Sequence, residues 1–178
     1  MEQQDVPQTL SPKKRVILAA ALALLIEAGD AGLTMRKLAE RADMRLSNVQ
    51  YYFKTRDDVL VAMVMRYFDE STKNLLALTQ QSSSASPRER AHFIIRAGLE
   101  HGTEISDMCR AFREIWAISS RNTIVEKCLM NYYRRFADVI AEFALGSESD
   151  AAAQDRFTTL VVPFIEGYSV TAKAVPQN

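Results

Sequence analysis

Apolar residues recur three and four positions apart through most of the chain, and no run alternates with the two-residue period of a β-strand. Val59, Met63 and Tyr67 follow this helical spacing, and so do Phe157 and Val161. The 178 residues include only 6 glycines and 5 prolines, few for the many turns of a β fold. With 48% apolar residues, the chain can bury a sizeable core. The sequence therefore predicts an all-α protein.

Helix start and stop signals divide this pattern into eight helices. Ser11-Pro12 is typical of a helix start, because serine caps free N–H groups and proline suits the first turn. Ser86-Pro87-Arg88-Glu89 combines the same signal with a capping box. Gly29 and Gly146 are each expected to end a helix. The predicted ranges are 12–28, 34–41, 47–52, 55 to the serine-rich loop at 80–86, 87–102, 107–119, 122–145 and 149–174.

The first of these helices has an alternative interpretation. Lys13-Lys14-Arg15 and the apolar run from Val16 to Ile26 resemble a secretory signal peptide. The run is shorter than the about 20 apolar residues that span a bilayer, and several alanines weaken its hydrophobicity. Because acidic residues also precede the basic cluster, we favour a buried first helix in a cytoplasmic protein without a membrane partner.

Basic residues are concentrated near the start of the chain. Residues 13–56 contain nine lysines and arginines against four acidic residues, a net charge of +5, whereas the whole chain is neutral. A positive segment is typical of a surface that binds the phosphates of nucleic acid. An ordinary solvated face can have the same composition, so the charge alone does not decide between the two.

Residues 34–54 carry the most specific pattern, two short helices around a tight turn. Their predicted inward set is Leu38, Ala39, Ala42, Met44, Val49 and Phe53. Polar side chains remain on the outer side of the second short helix, which can enter a major groove. Gln50 and Asn48 can bond adenine and Arg45 can bond guanine, while tyrosine and lysine suit phosphates. The predicted DNA-binding residues are Thr34, Arg36, Arg45, Leu46, Ser47, Asn48, Gln50, Tyr51, Tyr52, Lys54 and Arg56.

Residues 15–60 resemble the TetR family of one-component regulators. The matching elements are Ile17-Leu18-x-Ala20-Ala21, Glu27-x-Gly29, Thr34-Met35-x-x-Leu38-Ala39 and Tyr51-Tyr52-Phe53-Lys54-Thr55-Arg56-Asp57-Asp58-Val59-Leu60. Their combination is specific, although it covers only about a quarter of the chain. The resemblance implies a homodimer whose last two helices pair into a four-helix bundle. It also implies a ligand pocket behind the DNA-binding helices and repression that the ligand relieves.

Three positions depart from the family pattern. Asp43 stands where the family has glycine, in a turn that suits a left-handed backbone. Aspartate tolerates that conformation better than most residues, so we expect the turn to form and its charge to weaken binding slightly. Leu46 and Ser47 replace a polar residue and a glycine, which leaves the operator sequence open.

The sequence predicts a helix-turn-helix DNA-binding domain over residues 11–58 and a helical ligand-sensing and dimerisation domain over residues 59–178. Large aromatic residues of the second domain suit a pocket for an unidentified effector, although plain core packing needs them too. The predicted pocket residues are Phe93, Met108, Phe112, Trp116, Tyr132 and Phe136. The predicted dimer residues are Phe136, Ile140, Phe157, Val161, Phe164 and Tyr168.

Enzymatic functions have little support in the sequence. Glu89 and His92 have the Glu-x-x-His spacing of di-iron bundles, but His101 does not supply a second copy, and we expect His92 to be partly buried. Cys109 and Cys128 match no metal or redox spacing and suit small core positions. We therefore predict no catalytic residue, no metal site and no cofactor. A regulator that senses no ligand and acts through a protein partner is the main alternative.

Overall fold

The computed structural model describes residues 10–80, 86–103, 107–172 and 174. These residues form eight α-helices and no strand, which confirms the predicted all-α fold. The helices are α1 Pro12–Gly32, α2 Met35–Arg41, α3 Leu46–Tyr52, α4 Arg56–Gln80, α5 Pro87–Thr103, α6 Asp107–Ser119, α7 Thr123–Leu145 and α8 Ala151–Thr171. Within the described ranges, no helix has both the length and the apolar character needed to cross a membrane.

The chain divides into two compact units, Met1–Arg66 and Tyr67–Asn178. The division falls inside α4, whereas the sequence analysis placed the functional boundary between residues 58 and 59. One helix can belong to two units because its backbone hydrogen bonds run within the helix itself. The assignment of DNA binding to residues 11–58 and of sensing to residues 59–178 stays a prediction.

The first unit is built on the apolar face of α1. Ile17 and Leu25 of that helix are fully buried, together with Leu38 of α2, Val49 of α3 and Leu60 of α4. Burying one such aliphatic side chain contributes about 1.5–3 kcal/mol to folding. The buried face of α1 agrees with the interpretation of residues 16–26 as part of a core helix.

The short helices of the first unit begin and end at the predicted signals. Ser11 and Thr34 cap α1 and α2, and each side-chain oxygen accepts a hydrogen bond from the amide three residues on, at 3.4 and 3.3 Å. Gly29 has a left-handed φ of 65° and interrupts α1 where the sequence predicted its end. One further turn then follows to Gly32, so α1 is longer than predicted.

The second unit has its own core, in which α5, α7 and α8 meet. Ile94, Ile140 and Val161 form the buried cluster, one from each helix. Gly98 lets α5 approach α8 closely, because a Cβ atom at this position would lie 2.7 Å from the Ile165 side chain. The long α7 begins after Asn122, whose Oδ1 accepts hydrogen bonds from two backbone N–H groups at 3.1 Å.

The remaining helix ends differ from the sequence prediction only by a few residues. Ser86 donates its backbone N–H to the Glu89 carboxylate at 2.8 Å, which forms the predicted capping box of α5. Gly146 ends α7 with φ 93°, as expected of a glycine C-cap. Helix α8 begins two residues later than predicted, because the Ser149 backbone N–H bonds the Gly146 carbonyl at 3.2 Å and extends the turn. Pro163 lies inside α8 without ending it.

Candidate nucleic-acid interface and ligand cavity

The turn between α2 and α3 has the left-handed backbone that the sequence analysis expected. Asp43 adopts φ 51°, and no other non-glycine residue among those described has a positive φ. The Met44 N–H donates to the Ala39 carbonyl at 2.9 Å and closes the turn. The prediction that aspartate would accommodate this turn is therefore confirmed, and α3 follows α2 directly.

The predicted inward set of this segment forms most of its packing surface. Leu38, Ala39, Ala42, Val49 and Phe53 are buried. Met44 is only half-buried, since it lies beside the turn rather than under a helix. Leu46, predicted to contact DNA, is also half-buried and offers only an apolar side chain. Such a residue can contact a thymine methyl group but cannot donate or accept a hydrogen bond.

One side of α3 is polar and exposed. Ser47, Asn48, Gln50 and Tyr51 are exposed, whereas Val49 is fully buried on the opposite side. With 3.6 residues per turn, the four exposed positions fall within an arc of roughly 160°. They therefore form one continuous face, whose amide and hydroxyl groups can hydrogen-bond to base edges.

Tyr51 has the largest exposed fraction of any described large apolar side chain, 76%. Its ring packs edge-on against the half-buried Tyr52 ring, with centroids 5.1 Å apart and planes at 89°. Tyr52 thereby holds Tyr51 away from the body of the unit. A tyrosine held in this way presents its hydroxyl to an approaching partner, and phosphate oxygens accept such hydrogen bonds.

The basic side chains around this face are unevenly engaged. Arg36, Arg45 and Lys54 are exposed and have no ion-pair partner in the part of the chain that the structure describes. Arg41 instead binds the Glu27 carboxylate with both terminal nitrogens, at 2.7 and 2.5 Å, and these bonds lower the pKa of Glu27. Arg45 and Lys54, which flank α3 in the sequence, are therefore among the unpaired charges.

Arg56, predicted to bind DNA, is a structural residue. Its Nε donates to the Leu33 carbonyl at 2.9 Å, and its Nη2 donates to the Asp30 carbonyl at 3.0 Å. The guanidinium also forms an ion pair with the Asp30 carboxylate and contacts Asp57 at 3.3 Å. Arg56 thus ties the end of α1 to the start of α4. Its assignment to DNA binding stays a prediction, and residue type and spacing alone could not show that this arginine is already bound internally.

A cavity of about 870 Å³ lies within the second unit, among α4, α5, α6, α7 and α8. Its volume falls in the range of small-molecule pockets. Phe112, Trp116, Tyr132 and Phe136, which the sequence predicted for a pocket, all line it. Tyr132 joins these rings into a cluster, since its centroid lies 5.3 Å from that of Phe112 and 6.0 Å from that of Phe136.

Phe93, which was also predicted as a pocket residue, does not line this cavity. The cavity face of α5 consists of Ile94, Ala97 and Gly98, and Phe93 lies beside that face. Its ring packs against the core cluster and meets Phe143 edge-on, with centroids 6.0 Å apart. Met108, the sixth predicted residue, lies in α6, but its side chain is outside the described residues.

Glu166 and Arg113 also line the cavity, although neither was among the predicted pocket residues. The Trp116 Nε1 donates to the Tyr133 hydroxyl at 3.0 Å, and that hydroxyl is hydrogen-bonded to the Glu166 carboxylate. Burial raises the pKa of Glu166, and the Tyr133 hydrogen bond offsets part of this rise. Burial and the charge of Glu166 together raise the pKa values of Tyr132 and Tyr133.

A signal for Glu166 was present in the sequence. It is the only charged residue between Phe157 and Val170, in an otherwise apolar and small-residue stretch. A single carboxylate in such a stretch is costly to bury and often has a function. Sequence reasoning missed it because it considered only the apolar residues of this helix, as a dimer stripe.

Two comparisons with known proteins decide the family. Residues 17–63 match the family model described as bacterial regulatory proteins, tetR family. The chain is 46% identical over 166 residues to an uncharacterised HTH-type transcriptional regulator in the dhlA 5′ region of Xanthobacter autotrophicus, a match that covers 93% of this chain and 82% of that protein. The chain belongs to the TetR family. This TetR-family protein is therefore a helix-turn-helix transcriptional regulator, as the sequence analysis predicted.

Solved structures of other regulators share the fold of this TetR-family protein. A TetR-family regulator of Mesorhizobium loti superimposes with a TM-score of 0.78 at 16% identity, covering 96% of this chain and 88% of that chain. A regulator of Saccharomonospora viridis in complex with choline gives a TM-score of 0.75 at 16% identity, covering 95% and 89%. At this identity, the likeness shows the common fold alone.

The predicted dimer residues of this TetR-family protein separate into two groups. Ile140 and Val161 are buried in the core cluster, and Phe136 and Phe157 pack against it. These four residues therefore stabilise their own chain, and their assignment to an interface stays a prediction. Phe164 is 48% exposed and stacks on the half-buried Tyr168 ring, 6.5 Å away. Helical periodicity alone could not separate the two groups, because it does not show which neighbour covers an apolar face.

The residues behind the di-iron alternative have other roles or placements. Glu89 is engaged in the capping box of α5, and its hydrogen bonds with Ser86 lower its pKa. His92 is exposed, not partly buried as expected. Cys128 is half-buried in α7, whereas the side chains of Cys109 and His101 lie outside the described residues. No group of three or more potential metal ligands occurs within the described part of the chain.

Proposed function

We propose that this TetR-family regulator binds a pseudo-palindromic operator as a homodimer and that a small molecule in the cavity relieves its repression. The observation that carries the proposal is the continuous exposed face of α3, with Asn48 and Gln50 beside the protruding Tyr51. Amides on such a face match the hydrogen-bonding groups of adenine in a major groove. A repressor of this kind acts on operator DNA in the bacterial cytoplasm.

The proposed contacts fall into two classes. Asn48, Gln50 and Arg45 read base edges, because their donors and acceptors point away from the buried Val49. Lys54 and the tyrosines bind sugars and phosphates, which fixes the register without reading sequence. Thr34, Arg36 and Ser47 are exposed and are proposed to contact the backbone, and the half-buried Leu46 is proposed to contact a thymine methyl group. Arg56 is placed in neither class, because it is already bonded to α1.

Selection of bound duplexes from random DNA tests this function. We expect the purified regulator to enrich an inverted repeat, with half-site centres about one helical turn (~34 Å) or a multiple apart. The expectation follows because two recognition helices related by a two-fold axis read the same sequence on opposite strands. Enrichment of no sequence at low salt, or of a single asymmetric site, would contradict the proposal.

The homodimer is proposed to form through the outer face of α8. Leu160 is 73% exposed and Phe164 48% exposed, and they lie one turn apart on the same side of the helix. Neither residue lines the cavity. Large apolar side chains exposed together on one helix face call for a partner. The occupant that fits is a second copy of the chain, since a two-fold dimer presents two α3 helices to one operator.

Ligand-dependent release is proposed from the cavity and its helices. Ser71, Asn74, Leu75 and Leu78 of α4 line the cavity, and the same helix begins at Arg56, soon after the DNA-binding segment. A ligand that prefers one position of α4 would favour one spacing of the two α3 helices, with a coupling of about 1–3 kcal/mol. The Saccharomonospora viridis relative in complex with choline supports a ligand-binding role. If no small molecule changes operator affinity, the alternative of a protein partner is favoured.

A further inference from the structure

The cavity of the second unit contains a carboxylate among aromatic rings. Glu166 lines it, together with Phe112, Tyr132 and Phe136, and half of the remaining lining residues are aliphatic. The aromatic faces carry partial negative charge, and the ionised carboxylate carries a full negative charge. These rings and the carboxylate therefore both attract positive charge.

The negative charge of Glu166 has no basic side chain paired with it among the described residues. Its hydrogen-bond partner is the Tyr133 hydroxyl, which is neutral and also accepts a hydrogen bond from Trp116. Arg113 lines the cavity too, but it is exposed and its Nη2 donates to the Ser169 carbonyl at 2.9 Å. The carboxylate is therefore half-buried without a compensating charge.

We propose that the cavity binds an organic cation with an apolar body, whose charged nitrogen lies beside Glu166 and against the rings of Tyr132 and Phe136. This assignment rests on the proposed ligand-sensing function and adds the chemical class of the ligand. A cation supplies the charge that Glu166 lacks, and aromatic faces attract it further.

Other ligand classes fit this cavity less well. An anion would lie close to an unpaired carboxylate, and the repulsion between like charges would oppose its binding. A neutral apolar molecule would displace water from Glu166 without offering a hydrogen bond or a charge in return, which leaves a desolvated ionisable group. Only a cation both fills the apolar volume and compensates the carboxylate.

Matched probes test the ligand class. Isothermal titration calorimetry of the full chain would compare benzyltrimethylammonium, its neutral tert-butyl analogue neopentylbenzene, and phenylacetate. We expect the cation to bind once per chain and at least about tenfold more tightly than the other two, a difference of roughly 1.4 kcal/mol. Equal affinity for the cation and its neutral analogue, tighter binding of phenylacetate, or no binding of the cation would overturn the proposal.

Variants locate the binding site. Glu166→Gln keeps the shape and the hydrogen-bond acceptor but removes the charge, so it should lose the preference for the cation and retain the neutral probe. Glu142→Gln is the matched control, because Glu142 is exposed on α7 and does not line the cavity. An unchanged cation preference in Glu166→Gln would overturn the proposal even if binding occurs.

Operator affinity measured on the same samples separates this inference from the proposed function. If the neutral or the anionic probe binds and releases the operator, ligand-responsive regulation stands and the cation assignment fails. If the cation binds through Glu166 but leaves operator affinity unchanged, the cation site stands and ligand-responsive regulation fails.

Discussion

At the scale of single residues, Asp43 links a backbone angle to a charge on the DNA-facing side. Its φ of 51° lies in a region where asparagine and aspartate are tolerated and β-branched residues are strained. Its carboxylate is exposed directly before α3, where phosphates are expected. We therefore expect the residue to stabilise the turn and to oppose DNA binding through two separable properties.

Asp43→Asn should separate these properties. Asparagine keeps the left-handed turn and removes the negative charge, so we expect operator affinity at low salt to rise about two- to fivefold, from Coulomb terms below about 1 kcal/mol. The melting temperature should change little. Fluorescence anisotropy with labelled operator measures the affinity, and Asp138→Asn on the exposed side of α7 is the control. A fall in affinity would show that Asp43 contributes a favourable contact.

Glu166 also affects stability through its pKa. Because burial raises the pKa of Glu166 above its ordinary value of 4.5, the folded state holds its proton more tightly than the unfolded state. Glu166 therefore leaves the free energy of unfolding unchanged below pH 4.5. As the pH rises through the raised pKa of the folded state, Glu166 lowers the free energy of unfolding. Tyr132, Tyr133 and Arg113 are ionisable residues that surround it.

Glu166→Gln should remove this pH-dependent cost. We expect the variant to melt about 1–3 °C above the wild type at pH 8 and at the same temperature near pH 4, since glutamine carries no charge at either pH. Thermal unfolding without ligand, followed by circular dichroism across this range, measures the difference. A variant that melts lower at pH 8 would show that the carboxylate has a stabilising partner.

At the scale of helices, the positions where helices begin were predicted better than the neighbours that cover their apolar faces. Ser11, Thr34, Ser86 and Asn122 signal helix starts locally, because a capping side chain bonds an amide two or three residues away. Which neighbour covers an apolar face depends on residues far away in the sequence. Val161 illustrates the limit, since its spacing matched a dimer stripe but its side chain is buried inside its own chain.

Arg56 joins two such helix ends, and its substitution tests that role. Arg56→Gln removes the hydrogen bonds to the Leu33 and Asp30 carbonyls and the ion pair with Asp30, which should cost about 2 kcal/mol and lower the melting temperature by roughly 4–8 °C. The salt dependence of operator binding should stay unchanged at a temperature where the variant is folded. A stable variant with a shallower salt slope would show that Arg56 contacts phosphate.

At the scale of the whole molecule, each of the two units has its own core, and the sequence predicted the first unit more completely. The local spacing of residues 15–60, which matches the family pattern, predicted the turn and the exposed face of α3. The cavity depends on five helices that approach from distant parts of the sequence. Four of its aromatic residues were predicted from size and type, but Glu166 was not, since its importance arises from burial rather than from a motif.

The outer face of α8 makes the assembly testable. Leu160→Glu places a charge in the proposed dimer interface, where desolvation without a partner is unfavourable, so we expect a monomer by light scattering after size exclusion. Operator affinity should then fall at least about tenfold, because two half-sites no longer bind together. Leu76→Glu is the control, since Leu76 is 41% exposed on α4 and lies outside the α8 face. A Leu160→Glu dimer with unchanged affinity would exclude this interface.

The central claim is that the exposed face of α3 reads bases, and sequence selection with two variants tests it most directly. Gln50→Ala should cost about 1–3 kcal/mol at the operator and relax the preference at one position of each half-site. Lys54→Ala should weaken binding to all sequences alike and reduce the salt slope by about 1 per subunit, whereas Lys127→Ala on α7 should change neither. If Gln50→Ala selects the same sequence with the same stringency as the wild type, the claim is wrong.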